Sequence, residues 1–273
     1  MALTVLFLIV SCFVSAFINY WYCWYEKWYM IIISILLIPV LYLLCFGIYI
    51  IIVFFASLFM NKKKQVKNPS KVAYFFVKHT IRQLVLLSNT KVHVTGLDKL
   101  PKDERFLIIS NHVSMFDPIV VVDRFKIKHI ICVTKPENKN IPICGPFIHK
   151  AGFIAIDREN NHNAIHSIRQ ASDYIKTGKY NVYICPEGTR SKTGEMLEFH
   201  AGSFKIATRA ECGVAICSIK NTNMISKNFP FKRTHVYLDV LDFVSKEEVQ
   251  ELRTVDLSNK AFNIIKAKLE GEN

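Results

Sequence analysis

Charge is spread so unevenly along this chain that it implies two different surroundings. Residues 1–60 hold only two charged side chains, Glu26 and Lys27, and these cancel. The whole net charge of +13 therefore lies in residues 61–273. An N-terminal segment this apolar has too few polar groups to sit in water as a surface element. The remainder is long enough, and charged enough, for one sizeable soluble domain.

The apolar part divides in two. Ala2 to Ile18 is one stretch, and Met30 to Met60 is a second of 31 residues. As a single helix the second would run about 46 Å, against a hydrocarbon core of roughly 30 Å. Pro39 is positioned to kink it. Between them lies Tyr20-Trp21-Tyr22-Cys23-Trp24-Tyr25-Glu26-Lys27-Trp28-Tyr29, an aromatic belt suited to headgroup depth. A cleaved signal peptide fits residues 1–20 poorly, because no positive charge precedes the apolar run. The expectation is a two-helix membrane hairpin, spanning or half-inserted. Lys62, Lys63, Lys64 and Lys67 come directly after it. The positive-inside rule then puts the soluble part on the cytoplasmic side, and the scattered free cysteines and compact size favour a bacterial inner membrane. Residues 1–67 are read as this hairpin with its basic flank, and residues 68–273 as the soluble domain.

A rough helical period in Val72, Phe75, Phe76, His79, Ile81, Leu84 and Leu87 predicts a helix over 68–90. Beyond it, strand-like runs alternate with helical ones. Strands are expected at 91–94, 106–110, 129–134, 153–157, 182–185, 214–219 and 235–243. Helices are expected at 118–125, 163–177, 203–210, 246–252 and 259–269. Several strands are continuous apolar runs, which implies burial on both faces. The fold class is α/β: a mostly parallel central sheet flanked by helices, preceded by the hairpin. The eight cysteines show no zinc spacing and no Cys-x-x-Cys pair, and read as buried free thiols in a reducing compartment.

The chemistry concentrates where strands end. His112 and Asp117 lie in Asn111-His112-Val113-Ser114-Met115-Phe116-Asp117-Pro118, directly after the apolar run 106–110. Sites in α/β sheets gather at the carboxyl ends of strands. Five residues of straight helix would turn the two side chains about 140° apart, so the chain must turn between them. Pro118 agrees, since it suits the first turn of a helix and disfavours helical geometry just before. Asp117 is then either a helix N-cap or a carboxylate that orients the imidazole, and the two roles are compatible. A His–Asp pair without a nucleophile points to general-base activation of a hydroxyl. Ser114 is close, but it is outside any Gly-x-Ser-x-Gly elbow.

Three further strand ends carry cations. Cys185-Pro186-Glu187-Gly188-Thr189-Arg190-Ser191 follows one apolar run. Gly152-Phe153-Ile154-Ala155-Ile156-Asp157-Arg158 ends another, and Lys135 follows 129–134. Taken singly, each is an ordinary solvated residue. If the strands are parallel they converge on one sheet edge, as an anion pocket beside a base.

Asn-His-x-Ser-x-x-Asp, Gly-Phe-Ile-x-Ile-x-Arg and Pro-Glu-Gly-Thr-Arg-Ser, in this order, resemble the motifs of the glycerolipid acyltransferase family over roughly residues 68–245. The resemblance implies His112 as the base and Asp117 as its partner. It implies Arg158, Glu187, Gly188, Thr189 and Arg190 at the glycerophosphate acceptor, with Lys135 as a further phosphate ligand. Phe199-His200-Ala201-Gly202-Ser203-Phe204-Lys205 matches the segment after the Pro-Glu-Gly-Thr-Arg motif less tightly. The family's fourth motif carries prolines where this chain has Ala215 and Ser218, a departure that bears on acceptor or acyl-chain selectivity.

The reaction implied is acyl transfer from acyl-CoA or acyl-carrier protein to the sn-2 hydroxyl of lysophosphatidate, with backbone N–H groups near Gly188 holding the oxyanion. No metal, cofactor or covalent intermediate is expected. The partners implied are the lipid acceptor, the membrane and the acyl donor, with the oligomeric state left open. Glycerol 3-phosphate or another lysophospholipid is the alternative acceptor. A non-catalytic, membrane-anchored anion-binding module is the distant alternative. Nucleic acid is not an expected partner, because its motifs are absent.

Overall fold

The structure, a computed structural model, describes residues 2–61, 66–125, 127, 129–156, 161–191 and 195–271. Helices α1 (Ala2–Trp21) and α2 (Trp28–Leu58) form an antiparallel pair joined by a tight turn at 24–26. Both are long and apolar enough to cross a membrane. Pro39 sits inside α2 without ending it. Two hydrogen bonds tie the pair: Ser15 Oγ donates to the Ser34 carbonyl at 2.6 Å, and Asn19 Nδ2 to Ser34 Oγ at 2.7 Å. Such polar contacts, with small residues at the seam, hold apolar helices together where the hydrophobic effect cannot. The outer faces are bare, with Phe13 71% and Leu36 62% exposed. Most of the basic flank, residues 62–65, lies outside the described residues.

The base of the hairpin packs into the domain. Tyr49 and Val53 of α2 are buried in the same core as α3 (Lys71–Leu87). Ser70 caps α3 by accepting the Ala73 N–H at 3.2 Å, and its own N–H donates to the Lys150 carbonyl. The buried face of α3 is Ala73, Tyr74, Val77, His79, Ile81, Gln83 and Val85. This corrects the expected stripe: His79 and Ile81 are inside, but Val72, Phe75, Leu84 and Leu87 are exposed. Apolarity alone misleads here, because the domain core takes only one face of this helix and its other apolar side chains stay exposed.

Among the described residues, seven strands make one sheet in the order β1-β7-β6-β2-β5-β3-β4. They are β1 (Thr90–Thr95), β2 (Leu107–Ser110), β3 (Ile130–Thr134), β4 (Ile154–Ala155), β5 (Asn181–Ile184), β6 (Val214–Lys220) and β7 (Thr234–Val244). From β6 to β4 all neighbours are parallel. β7 runs antiparallel to β6, and β1 runs parallel to β7, so this edge pair is reversed. The mostly parallel sheet predicted from the apolar runs is present, with each expected strand in place.

Period-two alternation divides the core. Leu107, Ile109, Val182, Ile184, Val214 and Ile216 face one layer, with α6 (Asn161–Lys176), α7 (Lys205–Ala210) and α10 (Thr254–Glu270). Ile108, Tyr183, Ala215 and Cys217 face the other, with α3, α4 (Asp117–Arg124) and α5 (Cys144–Lys150). Leu107, Ile108 and Ile109 are wholly buried; such side chains each contribute about 1.5–3 kcal/mol relative to exposure. Two short helices, α8 (Met224–Asn228) and α9 (Lys246–Glu251), complete the chain. Gly152 takes φ +90°, and a Cβ there would meet Pro69 Cγ at 2.5 Å. That glycine lets the segment leading into β4 pack against the segment that enters α3.

Candidate active site

β2 delivers the chain to the carboxyl edge of the sheet, where Asn111 locks it. Asn111 Nδ2 donates to the Ile219 carbonyl at 2.9 Å, and Ile219 N–H donates to Asn111 Oδ1 at 2.8 Å. The end of β2 is thereby tied to the end of β6, beyond the last rung of their ladder. The next residue is His112.

Its ring nitrogen Nδ1 lies 2.8 Å from Asp117 Oδ2. The same oxygen accepts the Val113 and Ser114 N–H groups, each at 2.8 Å, and Oδ1 accepts the Thr222 hydroxyl. Asp117 is completely buried and has no side-chain role as a cap for the helix it begins. Its carboxylate turns back onto the loop instead. Ser114 Oγ accepts the Phe116 N–H at 3.2 Å, a structural bond that shapes the same turn. With Nδ1 facing a carboxylate, Nε2 is the nitrogen left to act as a base.

Electrostatics favour the charged ring. Burial pulls His112 down, but hydrogen bonding to Asp117 and then to Cys185 outweighs it and pushes the imidazole up to about 10. Cys185 Sγ also lies 3.1 Å from the Tyr183 hydroxyl, which is 2.7 Å from Ser110 Oγ. Ligand-type atoms of His112, Asp117 and Cys185 all fall within 4.8 Å of one another, a spacing that a metal ion could use. The Asp117 oxygens are already taken up by four hydrogen bonds, so the cluster reads as a network that fixes the ring.

The strand beside β2 is β5, and its following loop clamps the backbone of His112. Glu187 Oε1 accepts the His112 N–H at 2.6 Å, and Oε2 accepts the Leu197 N–H at 3.0 Å. Ser191 N–H donates to the His112 carbonyl at 3.4 Å. Burial pushes the Glu187 carboxyl above its ordinary value, against the backbone N–H bonds that lower it. Gly188 adopts φ +75°, and its N–H donates to the Cys185 carbonyl at 3.2 Å. That turn lifts Thr189 and Arg190 to the exposed mouth, between the two contacts to His112.

Lys135 is exposed directly after β3, which is two strands from β2. Strand spacing puts the two positions about 10 Å apart. Arg158 and its neighbour Asp157 lie outside the described residues. So β2, β5 and β3 bring His112, Asp117, Glu187, Gly188, Thr189, Arg190 and Lys135 to one edge. Both Glu187 oxygens and the Gly188 N–H are already spent on the protein itself. Asn111, Cys185 and Thr222 join the site although sequence reasoning gives them no role there. Thr222 bonds across 105 residues of sequence, a separation at which no spacing rule operates. At positions 215 and 218, where prolines were expected, Ala215 and Ser218 sit in a strand paired with β7. A proline there would remove a backbone donor.

Residues 91–220 match the family described as Acyltransferase. The 1-acyl-sn-glycerol-3-phosphate acyltransferase of Borreliella burgdorferi is 25% identical over 202 residues, covering 73% of this chain and 80% of that one. The protein of the same name from Escherichia coli is 26% identical over 195 residues, covering 68% and 77%. That of Saccharomyces cerevisiae is 27% identical over 179 residues, and the match spans only 58% of its length. The crystal structure of the 1-acyl-sn-glycerophosphate acyltransferase PlsC from Thermotoga maritima superposes with a TM-score of 0.59 at 22% identity, over 82% of this chain and 88% of that one. It shares the fold: a mostly parallel sheet flanked by helices.

Proposed function

We propose that this chain transfers a fatty acyl group from acyl-CoA or acyl-carrier protein to the sn-2 hydroxyl of lysophosphatidate, giving phosphatidate for phospholipid synthesis at the bacterial inner membrane. The observation that carries the proposal is the His112–Asp117 pair on the same sheet edge as the Arg190 loop. The names of the relatives supply the acceptor class.

In this reading His112 Nε2 removes the proton from the sn-2 hydroxyl as its oxygen attacks the thioester carbonyl. Asp117 holds the ring through Nδ1 and stabilises the imidazolium. The tetrahedral intermediate collapses, the proton passes from His112 to the departing thiolate, and the donor leaves as a free thiol. Arg190, Thr189, Lys135 and Arg158 take the acceptor phosphate. Glu187 acts through His112 by holding its N–H, and Gly188 acts by shaping the turn. The oxyanion then needs a donor other than the Gly188 N–H, which the turn already uses. The reaction calls for no metal or organic cofactor. The apolar hairpin keeps the domain at the surface where acceptor and product reside, with the domain facing the cytoplasm.

The test offers lysophosphatidate, glycerol 3-phosphate and lysophosphatidylglycerol in parallel to the purified full chain with acyl-CoA. Phosphatidate as the dominant product supports the proposal. Preferred acylation of glycerol 3-phosphate or of a lysophospholipid with a larger headgroup would replace it.

A further inference from the structure

The catalytic edge carries a second apolar feature that the hairpin does not account for. After β6 the chain passes Thr222, whose hydroxyl reaches Asp117, and enters α8. Ile225 anchors α8 in the core at 1% exposed. The chain then closes a tight turn, with Lys232 N–H donating to the Asn228 carbonyl at 2.8 Å and Asn228 Nδ2 to Thr234 Oγ1 at 3.0 Å. The turn holds two aromatic side chains outward: Phe229 is 53% exposed and Phe231 is 96% exposed. A phenylalanine so bare on an anchored turn loses apolar burial unless something apolar covers it.

Its surroundings identify the cover. Lys232 and Arg233 are exposed on the same turn, and Lys227 on the α8 residues just before it. Arg233 Nε donates to Asn89 Oδ1 at 3.2 Å, and Thr234 N–H donates to the Asn89 carbonyl, so the turn abuts the end of α3. That end exposes Leu84, Leu86 and Leu87. Gln83, on the same turn of α3, bonds Thr4 at the start of α1. Hydrogen bonds through Gln83 and Asn89 thus link the start of α1, the apolar exposed end of α3 and an aromatic turn beside cations. Aromatic side chains beside Lys and Arg suit a bilayer interface with anionic headgroups.

We propose that the Phe229–Arg233 turn is a second membrane contact, which inserts Phe229 and Phe231 among anionic lipids and sets the catalytic edge against the bilayer. The surface needs no soluble partner. The lipid acceptor would then move from the membrane to His112 without crossing water.

The test uses the full chain in vesicles, with Trp21, Trp24 and Trp28 each changed to Phe so that one new tryptophan reports alone. Phe231→Trp is compared with Val255→Trp, a 52% exposed position on α10, which packs on the other face of the sheet. In vesicles of phosphatidylglycerol and phosphatidylcholine, the tryptophan at 231 should be quenched by lipids brominated near the headgroup and shielded from aqueous iodide. The one at 255 should show the reverse. Replacing Lys227, Lys232 and Arg233 by Gln should weaken the bromolipid quenching and its dependence on phosphatidylglycerol. Equal iodide quenching at 231 and 255, with no effect of bromolipid at 231, would overturn the proposal. Since the readout is depth and not turnover, it stands or falls separately from the acyltransferase assignment.

Discussion

Thr222 donates its hydroxyl to Asp117 Oδ1, from a loop 105 residues further along the chain. The bond ties the carboxylate beside His112 to the end of β6, and Thr222 belongs to none of the three motifs. Thr222→Val removes the donor at nearly constant volume and leaves a buried carboxylate oxygen short of a partner. A hydrogen bond to a charged group contributes about 1.5–3 kcal/mol. We expect kcat to fall about tenfold or more with KM for the acceptor little changed, and Thr222→Ser to retain most activity. Loss in KM alone would argue that Thr222 acts on substrate and not on Asp117.

The raised imidazole sets the direction of the pH profile. His112 must be neutral to accept a proton, and its contacts with Asp117 and Cys185 hold it protonated up to about 10. The kcat/KM for acyl transfer should therefore rise with pH through a limb above the ordinary histidine value of about 6.5. Asp117→Asn should move that limb to lower pH while reducing the rate. The stability consequence has a fixed sign. A group raised on folding stabilises the native state fully below its unfolded value and loses that contribution as pH rises toward the folded value. Denaturant midpoints between about pH 6 and pH 10 should fall more for the wild type than for His112→Ala.

Glu187 is a positioning residue on this account. Both its oxygens accept backbone N–H groups, from His112 and Leu197. Glu187→Gln keeps the shape but turns an NH2 group against one of two N–H donors. We expect a loss mainly in kcat, with KM for lysophosphatidate within a few-fold of wild type. A loss confined to KM would return Glu187 to the acceptor phosphate.

Arg190 should behave in the opposite way. It stands exposed on the turn lifted by Gly188, next to the Ser191 contact with His112. A forked guanidinium on phosphate is worth more than a point charge. Arg190→Ala should raise KM for lysophosphatidate about tenfold or more, with Arg190→Lys intermediate, and neither should alter weak turnover of uncharged monoacylglycerol. Lys135→Ala should act in the same direction but less, since it follows a strand two places away.

The range of each interaction decides how much of it is legible in the sequence. Strand positions are legible because a sheet covered on both faces needs apolar runs such as 106–110 and 214–219, and each is a strand. The turn between His112 and Asp117 is legible from Pro118. The bare face of α3 is not, since exposed Val72, Phe75, Leu84 and Leu87 carry the same apolar signal as core positions. Helix α5 is also hidden: it has seven residues and starts Cys-Gly-Pro, a pattern that signals a loop. Cys185 looks like an ordinary buried thiol, and only strand pairing brings it beneath His112. The reversal of β1 and β7 depends on which strand neighbours which, and strand patterns carry no direction.

His112 is proposed as the base that activates the acceptor hydroxyl. Single-turnover acyl transfer by purified His112→Ala, with saturating lysophosphatidate and acyl-CoA, tests it most directly. General-base catalysis contributes about 10²- to 10⁴-fold, so a loss of that size is expected in the chemical step, with acceptor affinity and fold intact. A His112→Ala protein that formed phosphatidate at the wild-type single-turnover rate would contradict it.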